Sequence, residues 1–218
     1  MKWLRDNGLS LAFLFLFLIS ICGQAYTGWK QYNQEMQEEG GQTLNFGRYL
    51  STAHFSEATF ENWESEFLQM ALFVILSMFL YQRGSSESKD PDKKEKVDKA
   101  PKYKKKDAPW PVQRGGFALK LYEHSLSLTL TLLFLLSFLA HFAASHRDYN
   151  HEQVLKHLPT ETAAQYLGNS KFWFESFQNW QSEFLSVLGI IVLSIFLRQK
   201  NSPQSKPVDA PNSQTGEG

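Results

Sequence analysis

FENWESEFL (60–68) and FQNWQSEFL (177–185) are one phrase written twice, and each copy runs directly into an apolar stretch. Where the phrase sits decides the fold. Each apolar stretch ends at a basic residue, Arg83 or Arg198, whose long side chain can snorkel into a headgroup layer. A hydrocarbon core about 30 Å thick takes about 20 helical residues. Counting that length back from the two arginines sets 63–66 and 180–183 at the opposite interface. The repeated phrase therefore reads as the outer end of a membrane helix.

Two more apolar blocks, 9–26 and 126–144, precede the two copies. The mean hydropathy of -0.34 averages these blocks with a lysine-dense linker and describes neither phase. Block-like apolar runs argue against a soluble four-helix bundle. The first block follows Lys2 and Arg5 in the manner of a signal peptide. It reads instead as a retained span, because the same pattern recurs inside the chain and Ile21 before Cys22 does not suit a lipoprotein cleavage site.

Laying 10–83 on 127–200 requires no gap. The polar identities carry the match, since apolar bias alone pairs leucines. Tyr32, Asn33 and Glu35 meet Tyr149, Asn150 and Glu152, and Tyr49 meets Tyr166. Asn62, Trp63, Ser65 and Glu66 meet Asn179, Trp180, Ser182 and Glu183. A duplicated unit with two spans enters the membrane from the same side in both copies, so the expected relation is a parallel repeat, unlike the inverted repeats of many transporters.

Basic residues give the orientation. Of the 22 Lys and Arg, only Lys30, Arg48, Arg147, Lys156 and Lys171 fall in the loops after the first and third blocks. The rest lie in both tails and the central linker, which the positive-inside rule makes cytoplasmic. The linker, 84–117, is poor in apolar residues and is expected to be disordered, as is the tail, 201–218. Lys102, Lys104, Lys105 and Lys106 could lie against anionic headgroups at about 1 kcal/mol per basic residue. The outer loops, 28–63 and 145–180, are too long to lack structure of their own. Thr160 before ETAAQYL and Gly168 reads as a capped helix with a glycine stop. Phe60 and Trp63, like Phe177 and Trp180, fit an interfacial aromatic belt.

Chemistry is sparsely signalled. Zero net charge gives no bulk attraction to nucleic acid, and the lone Cys22 excludes an intrachain disulfide. No GxSxG, HExxH, P-loop or dinucleotide glycine pattern is present, so neither an enzyme nor a cofactor is expected. What stands out is Glu66 and Glu183, each about 22–24 Å above its cytoplasmic stop and so inside the outer rim of the hydrocarbon. An ionisable group at that depth needs water or a partner. Depth counting brings Gln24 near the level of Glu66 and His141 near that of Glu183, with Asn62 and Asn179 a turn above.

The NGLSL opening, the YNxE pair, the doubled FxNWxSEFL, DAPWPV and the closing SIFLRQK resemble a family of small bacterial integral membrane proteins described only as a domain of unknown function. The resemblance implies a bacterial inner membrane and four spans, and brings no activity.

The expected fold is all-α and polytopic: four transmembrane helices as two parallel two-helix repeats with helical extracytoplasmic loops. The spans are 9–27 and 64–82 in the first repeat, 1–83, and 124–144 and 181–198 in the second, 118–200. Both termini are expected in the cytoplasm. The expected partners are the lipid bilayer and either a second copy or another envelope protein. The leading function is structural or interactive, and the competing one is a small channel or transporter component using Glu66 and Glu183.

Overall fold

A computed structural model describes residues 2–101 and 107–216. The described residues are all-α apart from turns and one short 3₁₀ segment, Lys96–Asp98. In chain order the helices are α1 (Lys2–Asp6), α2 (Gly8–Glu38), α3 (Phe46–Tyr49), α4 (Ala53–Leu76), α5 (Trp110–Arg114), α6 (Gly116–Glu123), α7 (Ser125–Leu155), α8 (Ala163–Tyr166) and α9 (Ser170–Phe196). Two compact units are formed, Met1–Glu61 with Phe138–Trp173 and Asn62–Ser137 with Phe174–Gly218.

Among the described residues three helices are long and apolar enough to cross a membrane: α2, α7 and α9. Only 6%, 11% and 6% of their apolar windows are buried within the protein, so lipid is what would cover the rest. At 31 residues each, α2 and α7 are about 46 Å long and overshoot a bilayer core by about 11 residues. The excess is polar and carries both YNxE motifs beyond the apolar runs.

Three spans correct the expectation of four, and with the fourth goes the pairing into two equivalent hairpins. The exception is α4. Its hydrogen bonding shortens at Met78 and Phe79, which donate to Ile75 and Leu76, and the helix stops at Leu76 before its apolar run is used up. Every 18-residue stretch it could offer then contains Glu61, Glu64 and Glu66. In α9 the positions matching Glu61 and Glu64 are Gln178 and Gln181, and the helix continues to Phe196. Two carboxylates fewer and a later stop separate a candidate span from a helix that is not one.

In the first unit the polar ends of α2 and α7 are each fastened to the loop that follows. Asn33 accepts from the Leu44 amide at 2.7 Å and donates to the Leu44 carbonyl at 2.8 Å. Asn150 does the same with Glu161, at 2.8 and 2.9 Å. A second side chain reaches each carbonyl, Trp29 at 2.7 Å for Leu44 and His146 at 2.7 Å for Glu161. Each clasp feeds a single helical turn, α3 capped by Asn45 or α8 capped by Thr162, and delivers a buried tyrosine, Tyr49 or Tyr166. The cap of α8 thus falls at Thr162 rather than Thr160. Tyr32, Met36 and Tyr49 form a small core under Trp29, Leu44, Phe55 and Leu155.

In the second unit Gln69 on α4 donates to Ser186 Oγ at 3.0 Å and to the Glu183 carbonyl at 3.2 Å, both on α9. Trp180 donates to Glu64 Oε1 at 2.9 Å, and the buried hydroxyls of Ser85 and Ser194 bond at 3.0 Å. The segment after α9 folds around Lys206, whose ammonium donates to the carbonyls of Gly84, Asn212 and Gln214. Burial, and then the neighbouring Arg198 charge, push the Lys206 amine down from its ordinary value. Gly84 has φ +85°, and a Cβ there would meet the Asn212 carbonyl at 2.5 Å, so this turn requires glycine.

Candidate functional site

Among the described residues a carboxyl pair is assembled in each unit. The pair read from the sequence lies in the second. Glu66 and Glu183 hydrogen-bond to one another across α4 and α9, with Glu66 exposed and Glu183 half-buried. The remaining residues singled out from the sequence are dispersed. Asn179 donates to the Glu175 carbonyl at 3.2 Å, and the Asn62 carbonyl accepts from Ser65. Gln24, in the first unit, donates to Thr59 at 3.3 Å. His141 is fully buried there against the Phe172 ring, at 5.1 Å between centroids. Trp63 is exposed, Phe60 lines a small cleft with Ala140 and Ala144, and Phe177 packs edge-on against Trp180. Lys102, Lys104, Lys105 and Lys106 lie outside the described residues.

The second pair is in the first unit and was not read from the sequence. Glu57, in the opening turns of α4, and Asp148, one turn past the apolar run of α7, are each 7% exposed and hydrogen-bond to one another. Ser145 Oγ donates to Glu57 Oε1 at 2.8 Å, and the same hydroxyl lies 2.6 Å from Tyr166 Oη. Since Ser145 has a single hydroxyl proton, given to Glu57, Tyr166 is the donor to Ser145. Lys171, at the start of α9, donates to the same Glu57 oxygen at 3.3 Å. Its backbone amide is held by Asn169 Oδ1 at 2.9 Å.

A hydrogen bond between two carboxyls needs one proton between them. Glu57 already accepts two donors on Oε1, so that proton sits on Asp148. Asp148 lies beyond the apolar 126–144 run of the candidate span α7. Burial, followed by the Glu57 charge and its hydrogen bond, pushes its carboxyl up to about 8, with Lys171 pulling the other way. With the proton in place the cluster holds one carboxylate and one ammonium and is neutral. Without it a net negative charge is buried. Tyr49 is affected too: burial, then the charges of Asp148 and Glu35, push its hydroxyl up to about 12.

Sequence reasoning passed over this cluster because it searched where the two halves agree. In the register that lays 10–83 on 127–200, Asp148 faces Gln31, Ser145 faces Gly28, Lys171 faces His54 and Glu57 faces Phe174. Gly28 leaves the room that Tyr49 Oη fills, while Ser145 bonds to the hydroxyl of the matching Tyr166. In the first half Tyr49 turns to His54 Nδ1, at 3.2 Å. The usable signal was the set of positions where an uncharged residue in one half is a charged or hydroxyl residue in the other. Among the described residues, no group of three His, Cys, Asp or Glu is placed to hold a metal ion, and Cys22 is exposed on α2.

A family model described as a domain of unknown function, DUF6766, matches residues 1–217. The chain belongs to the DUF6766 family. No curated protein and no solved structure matches it. The chain's own geometry is that of an all-helical protein with candidate membrane helices.

Proposed function

We propose that this DUF6766 protein is a structural or interaction protein of the bacterial inner membrane. The observation that carries this reading is the surface the clasps present. Phe46, Leu50, Leu158 and Leu167 are exposed on the loops that Asn33 and Asn150 fasten, beyond the apolar helix runs that lipid covers. Ordered apolar side chains outside the hydrocarbon are what a protein partner covers. The partner is a second copy or another envelope protein. A photo-crosslinking residue in place of Leu50 or Leu167, in cells, tests it. Discrete adducts above the monomer mass are expected, and their absence at both positions, with expression unchanged, removes the reading.

A second reading has its own observation. The close approach of Glu66 and Glu183 supports a cation or proton path between α4 and α9. Flux in proteoliposomes that falls on joint substitution E66Q and E183Q supports passage through this pair. Non-zero flux left unchanged by the double substitution rules it out.

A further inference from the structure

The Glu57 and Asp148 cluster stands apart from both readings above, since neither the exposed clasp surface nor the Glu66 and Glu183 pair uses it. Its components come from four elements. Glu57 is on α4, Ser145 and Asp148 on α7, Tyr166 on α8 and Lys171 on α9. The ionisable groups that face it are few. Lys171 is the cation bonded to it among the described residues, Glu152 adds a negative charge along α7, and Tyr32 and Tyr49 stand on the Asp148 side. Ser145 and Tyr166 are fully buried.

We propose that Glu57 and Asp148 form a binding site for a single exchangeable proton, and that this proton fastens the start of α4 to the polar end of α7 in the first unit. The chemistry is a plain transfer. The Asp148 O–H bond breaks, the proton passes to water or hydroxide, and the electron pair stays on the carboxylate. The two carboxylates then repel across a contact that the hydrogen bond had closed, and Lys171 can neutralise only one of them. Buried like charges at hydrogen-bonding distance do not both ionise without a rearrangement. The polar ends of α4 and α7 part, and water enters to solvate the second charge. Tyr166 loses its register with them, because its donor bond runs through Ser145 to Glu57. The occupancy of one proton thus sets whether the α8 clasp is tight or loose.

The test uses the full chain in lipid nanodiscs and reads the carboxylic C=O stretch by infrared difference spectroscopy, from about pH 6 to about pH 10. A protonated, hydrogen-bonded carboxyl band is expected at the acid end and is lost toward the alkaline end. The band should vanish in Asp148→Asn and persist in Glu183→Gln, which separates it from the other pair. Ser145→Ala removes a donor that favours the Glu57 anion while leaving every charge in place, so the loss should move to higher pH. It also serves if Asp148→Asn fails to fold. Amide exchange of 163–166 should quicken at least tenfold across the same pH interval. A carboxyl band absent at pH 6, or one unchanged in both Asp148→Asn and Ser145→Ala, overturns the proposal.

Discussion

Replacing Asn150 with alanine should release the second clasp locally and by a calculable amount. Asn150 makes two bonds to the backbone of Glu161, accepting from the amide at 2.8 Å and donating to the carbonyl at 2.9 Å. The two losses differ in kind. The Glu161 carbonyl keeps His146 at 2.7 Å, so losing the Asn150 bond there costs about 1 kcal/mol, the net worth of an ordinary hydrogen bond. The amide loses the Asn150 acceptor, and a donor left half-buried costs about 1–2 kcal/mol. The sum, about 2–3 kcal/mol, corresponds to about 30- to 150-fold faster exchange of the Glu161 amide if opening is local. Asn33→Ala should act alike on Leu44, whose carbonyl keeps Trp29. The assay is residue-resolved hydrogen exchange in nanodiscs, with His151→Ala, on the same helical turn but outside the clasp, as the reference. Exchange at Glu161 within twofold of that reference would show that the asparagine does not hold the loop.

Two further outcomes follow from single residues. Gly84→Ala places a Cβ against the Asn212 carbonyl at a backbone angle that L residues avoid, at a cost of about 1–3 kcal/mol. The segment around Lys206 should detach and become the first site of limited proteolysis. Tyr49 holds its proton more tightly in the folded chain than in the unfolded one, where it titrates near 10. Its contribution to stability is therefore complete below pH 10 and is lost as the pH rises from there through about 12. Tyrosinate absorbance should show a late ionisation step near pH 12, and Tyr49→Phe should remove it.

Much of the helical scaffold is legible in the sequence because its causes are local. The leucine and phenylalanine blocks of α2 and α7 are apolar on every face, and a helix of that kind has few places to be besides lipid. The YNxE motif announces itself by recurring in register, although its role as a loop clasp does not, since the bond from Asn33 to Leu44 depends on how the loop returns. The span count fails at α4 for a reason no apolar run displays. Hydropathy counts 77–81 as part of the run, while the backbone leaves the helix at Leu76, and three glutamates are then too many for what remains.

The candidate sites divide along the same line. Glu66 and Glu183 are matched residues, and their meeting follows from the alignment once α4 and α9 lie side by side. Glu57, Asp148, Ser145 and Lys171 are mismatched residues, which no comparison of the halves for likeness can gather. Agreement between the halves is what a shared backbone demands: an asparagine to fasten each loop, a tyrosine to fill each clasp, a serine near each helix end. Such demands are met alike in the two clasps, where Asn33 and Asn150 make the same pair of bonds to the backbone. A buried proton needs the opposite, two carboxyls and one ammonium that converge at one place and not at its counterpart, since repeating them at His54 and Phe174 would bury a second set of charges. In this chain the identities between the halves trace what holds it together, and the departures from identity trace where its chemistry lies.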